Sequence, residues 1–183
     1  SHVPLVALTF NVGQWGRRQL TMAGYQVLAL NDEDVARTAL LSTTKPTPTR
    51  KWPRANQSNN VQDRRDLNCT CTKLHAWRLT EYDALLMSDS DVVFTADPMP
   101  WMTRLIAADE YFVASHEQAD RNYAGLNSHL TFLRPNRQVF RILADAALTG
   151  NFVPYTNSDQ DVIESVYSPR PDWPELPGHI HSR

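Results

Sequence analysis

The sequence predicts an α/β fold in which a mainly parallel central sheet is flanked by helices. Three observations carry that expectation. Apolar runs of strand length alternate with helical patterns, the chain opens on a strand-helix-strand succession, and its size suits one core. With 183 residues, 42% hydrophobic and 21% charged, the expected organisation is one domain spanning 1–183.

The elements follow in order. Leu5 to Phe10 reads as a buried strand, Trp15 to Met22 as a short helix ended by Gly24, and Tyr25 to Leu30 as a second strand. From Ser42 to Asp66 apolar residues nearly vanish, while Pro46, Pro48, Pro53, Lys45, Arg50, Lys51, Arg54, Arg64 and Arg65 accumulate. That segment, 42–66, reads as a long basic, Pro-rich loop: either an electropositive flap over phosphates or, the reading favoured, a solvated connection. Thr72 to Thr80 has Leu74, Trp77 and Leu79 on the buried side of a helix, so Trp77 is assigned to the core and His75 is left out of the site. Ala84 to Met87 is short and apolar enough to be buried on both faces as a central strand. Pro100 to Ala108 reads as a helix with Pro100 in its first turn, Tyr111 to Ala114 as a strand, and Leu126 to Leu133 as an alternating strand. Arg137 to Leu148 is an amphipathic helix stopped by Gly150, and Ser158 to Val166 a further helix.

Composition narrows the function classes. A net charge of −2 argues against a strongly basic nucleic-acid binder, and the Lys45 to Arg65 stretch lacks interleaved aromatics apart from Trp52. No apolar stretch approaches the roughly 20 residues of a membrane helix. Cys69 and Cys71 are too closely spaced for an ordinary disulfide and too few for a closed zinc site, so they do not fix the compartment. Asn56-Gln57-Ser58 and Asn68-Cys69-Thr70 fit the N-glycosylation pattern, which matters only on a secretory route. The cytoplasm and the secretory-pathway lumen both stay open, as does a removed targeting segment, because the first residue is not Met.

Asp89-Ser90-Asp91, directly after the apolar strand, carries the chemistry. On an extended segment, side chains two apart point the same way, so Asp89 and Asp91 would converge on one point. Two such carboxylates repel each other, and a hard divalent cation relieves the repulsion while keeping positions open for phosphate oxygens. Ligand sites of open α/β sheets lie at such strand ends.

Several motifs, in order, resemble the glycogenin-like retaining glycosyltransferases of glycosyltransferase family 8. Thr72-Lys73-Leu74-His75-Ala76-Trp77 with Leu79-Thr80-Glu81-Tyr82 looks like that family's helix ahead of the metal strand. Ser88-Asp89-Ser90-Asp91-Val92-Val93 is similar to its Leu-Asp-Ala-Asp-Thr-Leu segment. Gly125-Leu126-Asn127-Ser128 resembles its Phe-Asn-Ser-Gly strand, and Asp159-Gln160-Asp161 its Asp-Gln-x motif. The match covers roughly Thr72 to Tyr167, about half of the chain.

The resemblance implies a GT-A-like, Rossmann-type domain and a hexosyltransferase-type activity. A sugar would pass, with retention, from a nucleotide sugar, expected to be UDP-linked, to a glycan or protein acceptor. It implies Mn²⁺ or Mg²⁺ on Asp89 and Asp91, and donor contacts from Lys73, Asp89, Ser90, Asn127, Ser128, Asp159 and Gln160. Asp159 would be the catalytic carboxylate nearest the anomeric carbon. The family's opening strand for the nucleotide base and its late His-x-x-Gly metal motif find no counterpart, which leaves open whether His179 or His181 replaces the third ligand. His129 stands where the family commonly has Gly, and His116 where it commonly has an acid; sugar and acceptor therefore stay open. The alternative is a non-catalytic, glycosyltransferase-like structural or interaction subunit.

Overall fold

The computed structural model describes residues 3–39, 70–116, 126–152 and 158–167. The chain opens with β1 (Leu5–Thr9), α1 (Gln14–Met22) and β2 (Tyr25–Ala29), and β1 pairs in parallel with β2 from Leu5 opposite Tyr25 to Thr9 opposite Ala29. Parallel neighbours need a crossover, which α1 supplies. Gly24 turns the chain back at a φ of 93°, a conformation that L side chains resist. β1 is less buried than its apolar run suggests: Leu5 is exposed and Val6 to Leu8 are half-buried. The sequence reading did not anticipate α2 (Asp32–Ala36). It is closed by a capping box in which Asn31 Oδ1 accepts from Asp34 N at 2.8 Å and Asp34 Oδ2 from Asn31 N at 3.3 Å.

Cys71–Arg78 is a 3-10 helix, whereas an amphipathic helix with Leu79 included was expected over Thr72 to Thr80. Its three-residue repeat stacks Cys71, Leu74 and Trp77 on one side, and all three are fully buried. β3 (Leu85–Ser88) follows, then α3 (Met99–Ala107) with Pro100 in its first turn, then β4 (Phe112–His116) and β5 (Leu126–Leu133).

The second sheet has the order β3-β5-β4, and both of its ladders are antiparallel. This corrects the expectation of a mainly parallel sheet: among the described residues only β1 and β2 pair in parallel. The alternation argument holds for β3 and β4, which run the same way on either side of α3, but β5 is inserted between them in the opposite direction. Periodicity identifies a strand without fixing its neighbour's direction. β3 likewise lies half-buried at one end of this sheet and is not its centre.

α4 (Arg137–Thr149) starts where Asn136 Oδ1 accepts from Gln138 N at 2.8 Å and Val139 N at 3.2 Å, and ends at Gly150 in the left-handed conformation. It packs on the 3-10 helix and on α5 (Asp159–Tyr167), which in turn covers β5. The core joins these layers through Trp77, Phe112 and Tyr167. The Phe112 and Tyr167 rings stack at 3.9 Å, and Trp77 Nε1 donates to Tyr167 Oη at 2.7 Å. That bond satisfies the indole N–H of a fully buried Trp77, so the core assignment of this residue stands. No helix among the described residues is long and apolar enough to cross a membrane.

Candidate functional site

Asp89 lies one residue beyond β3 and is fixed by its backbone. Its N–H donates to the carbonyl of His129 on β5 at 2.9 Å, and its carbonyl accepts from Val92 N at 3.3 Å. The second bond makes 89–92 a turn, so the extended geometry expected for Asp89-Ser90-Asp91 does not hold, and the period-two rule does not align the two acids. Asp89 is half-buried, while Ser90 and Asp91 are solvent-exposed.

Across the ladder, a slip in register delivers Ser128. Ala114 of β4 pairs with Thr131, but the next residue, Ser115, pairs with Asn127, so 128–130 bulge away from β4. Asn127 stabilises the bulge because its Oδ1 accepts from His129 N at 2.9 Å and also contacts the His129 ring. A bulge re-aims side chains. Here the buried Ser128 Oγ turns to donate to Asp159 Oδ2, the first residue of α5, at 2.8 Å.

Lys73, from the first turn of the 3-10 helix, completes the cluster. Its ammonium is 2.6 Å from Asp89 Oδ1 and 3.3 Å from Asp159 Oδ2. The approach to Asp89 lies off the hydrogen-bonding direction, so that shielded oxygen has an ion pair but no well-aligned donor. Burial pushes the Lys73 ammonium towards neutrality, yet Asp159 and Asp89 outweigh it and hold its pKa above the ordinary value. Burial raises the Asp159 carboxyl, with Lys73 and the Ser128 hydroxyl pulling against it. One ammonium, two carboxylates and one hydroxyl thus converge from four elements. Cys71, beside them, is no nucleophile, because burial first and then the neighbouring Asp159 push its thiol up.

Four expected residues are joined by these contacts: Lys73, Asp89, Ser128 and Asp159. Gln160 is buried next to Asp159, with its N–H directed to Ser158 Oγ at 3.4 Å. Asn127 Oδ1 is engaged within its own strand, and Asp91 and Ser90 stand on the exposed turn. Among the described residues no group of three or more His, Cys, Asp or Glu is placed to hold a metal ion. The 42–66 loop, His179 and His181 lie outside the described residues.

Behind the cluster is a polar brace that the sequence reading missed. Arg78 donates to Asp34 Oδ1 at 2.6 Å and to His75 Nδ1 at 2.9 Å. A guanidinium only donates, so Nδ1 is the acceptor, and the Nε2–H donates to the Asp34 carbonyl at 3.1 Å with Thr38 Oγ1 at 3.3 Å. Burial first, then the adjacent Arg78 charge, hold His75 below its ordinary value, so the imidazole is neutral. The brace ties α2 to the helix that carries Lys73. Its sequence signals were the Asn31-x-x-Asp34 capping box and the i, i+3 spacing of His75 and Arg78.

Fold and site together define a mixed α/β protein with a buried ammonium–carboxylate cluster at strand ends. No protein-family profile matches the chain. Over 128 residues it is 30% identical to Glycogenin-1 of Caenorhabditis elegans, a stretch that makes up 67% of this chain and 26% of the relative. The chain therefore spans about a quarter of that protein's length, and its similarity marks it, at a coarse level, as glycogenin-like and related to glycosyltransferases.

Proposed function

We propose that the chain is a GT-A-type glycosyltransferase domain of the glycogenin-like kind, which binds a nucleotide sugar, UDP-linked, and transfers the sugar to an acceptor hydroxyl with retention. The observation that carries this reading is the convergence of Lys73, Asp89, Ser128 and Asp159 at the ends of β3 and α5. Anionic diphosphate needs positive charge close by, and a developing sugar cation needs a fixed carboxylate. The cluster offers both.

The chemistry of two carboxylates two residues apart also supports a divalent cation, although the turn at 89–92 leaves them unaligned without one. Asp89 Oδ1 is shielded and lacks an aligned donor, Asp91 is exposed two residues on, and both are hard oxygen ligands. Asp89 and Asp91 would hold Mn²⁺ or Mg²⁺, and the bound ion would supply Lewis-acid neutralisation of the departing diphosphate. Lys73 adds a second positive charge on the phosphate side. Asp159 faces the anomeric carbon, and its Oδ2 is kept in place by Ser128 Oγ so that it stabilises positive charge as the bond from carbon to phosphate oxygen breaks. The acceptor oxygen then bonds to that carbon on the face the diphosphate leaves, and its proton passes to the departing diphosphate oxygen. Ser90, Asn127 and Gln160 are the neutral groups offered to donor hydroxyls.

Thermal melting with Mn²⁺ and UDP tests the reading. The expected result is a raised Tm for the natural chain and no rise for Asp91→Asn; an equal rise in both removes the metal assignment. The second reading, an inert glycosyltransferase-like subunit, draws on the fact that Lys73 already neutralises Asp89. Calorimetric titration of nucleotide sugars with Mn²⁺ separates the two, since metal-linked binding counts against inertness.

A further inference from the structure

The ammonium of Lys73 occupies the space beside the very oxygen that the proposed cation needs. It lies 2.6 Å from Asp89 Oδ1 and 3.3 Å from Asp159 Oδ2, with its side chain 22% exposed and that of Asp159 3% exposed. A divalent cation on Asp89 would stand next to this ammonium, and like charges a few Å apart in a partly buried place repel. Lys73 must then leave Asp89, and Asp159 would be the anion that retains it.

We infer that Lys73 is an internal competitor of the metal: it occupies Asp89 in the empty site and yields it only when metal and diphosphate arrive together. The inference rests on the nucleotide-sugar reading above and deepens it. A diphosphate carries several negative charges, so it brings enough to balance both the cation and the displaced ammonium. Metal alone brings none. Asp89, with its side chain 31% exposed against 3% for Asp159, is the end of this contact that an arriving cation can reach. Lys73 swings over a short arc between two anions, and Asp159, buried and bonded to Ser128, does not move with it.

The test is Mn²⁺ binding, followed by the loss of the free-ion paramagnetic resonance signal, with and without UDP. For the natural chain, UDP should strengthen Mn²⁺ binding by about tenfold or more. Lys73→Met should bind Mn²⁺ alone roughly fivefold or more tightly than the natural chain, and Lys73→Arg, which keeps the charge, should stay close to it. A gain in affinity cannot come from a variant that fails to fold. If the natural chain shows the UDP effect while Lys73→Met binds Mn²⁺ alone no better, the competitor role is wrong and the nucleotide-sugar site survives. If the natural chain takes up Mn²⁺ neither alone nor with UDP, and Asp89→Asn changes nothing, the nucleotide-sugar reading falls and the competitor role falls with it.

Discussion

Replacing Arg78 by Met tests whether the brace behind the cluster is structural and whether His75 is neutral because of it. The substitution keeps the length of the stem over Phe140, whose ring centre lies 5.5 Å from the guanidinium, but deletes the donors to Asp34 and His75. Leaving the buried Nδ1 without a donor costs about 1–3 kcal/mol. The lost pairing with the partly exposed Asp34 adds about 1 kcal/mol or less, and the lost contact with Phe140 about 0.5–1 kcal/mol. The expected loss is therefore about 1.5–5 kcal/mol, or a drop in Tm of roughly 3–20 °C. Urea unfolding at a series of pH values measures it.

The pH dependence carries a second, sharper readout. The ordinary value of His75 is 6.5 and the folded state holds it lower, so the unfolded chain takes up the proton first as pH falls. The stability linked to the neutral imidazole is thus fully present above the unfolded value and is lost as pH drops towards the folded one, by at most about 1.4 kcal/mol per pH unit. Removing Arg78 removes one of the two main forces that lower the folded value, so that window narrows and the profile flattens relative to the natural chain. Other histidines cancel in the comparison. Parallel profiles with an unchanged urea midpoint would refute the brace.

Further expectations concern the site and the core. Ser128→Ala removes the hydroxyl donor to buried Asp159, and a charge-assisted bond of this kind predicts a loss of about 1.5–3 kcal/mol in urea unfolding. Asp159→Asn should lower sugar transfer by roughly a hundredfold or more beyond any change in Mn²⁺-dependent UDP binding measured by calorimetry, whereas a loss of transfer no larger than the loss of binding would remove the assigned role. Tyr167→Phe keeps the stack on Phe112 and strands the Trp77 N–H, which predicts about 1–3 kcal/mol of destabilisation without any change in UDP affinity.

The strands, most of the helices and most of the cluster were legible in the sequence because local chemistry dictates them, whereas α2 and the 3-10 form of Cys71–Arg78 were not. Gly150 stops α4, Pro100 starts α3, and the stretch from Leu126 to Leu133 reads as a strand from its own alternation. What local chemistry cannot dictate is how separate pieces meet. Nothing in β5 alone says that it runs antiparallel between β3 and β4, and nothing in Ser115 or Asn127 alone announces the slip that delivers Ser128 to Asp159. The same limit explains Asp89-Ser90-Asp91. Two acids at a spacing of two suggested a shared cation through an extended backbone, but the bond from Val92 N to Asp89 O bends the segment into a turn and separates the half-buried acid from the exposed one.

That separation changes what the pair can do. Asp89 is half-buried and already paired with Lys73, whereas Asp91 faces solvent, where a cation from bulk can reach it. Under the proposed metal assignment, an ion first met by Asp91 would gain Asp89 only by displacing an ammonium, so metal affinity would be a property of three residues instead of two. On that assignment the motif would understate the chemistry, because the residue that would set the threshold for occupancy, Lys73, lies 16 positions upstream of Asp89 on a different element. The position of that helix rests in turn on Arg78, His75 and Asp34, which ties stability measured at the brace to ligand affinity measured at the cluster.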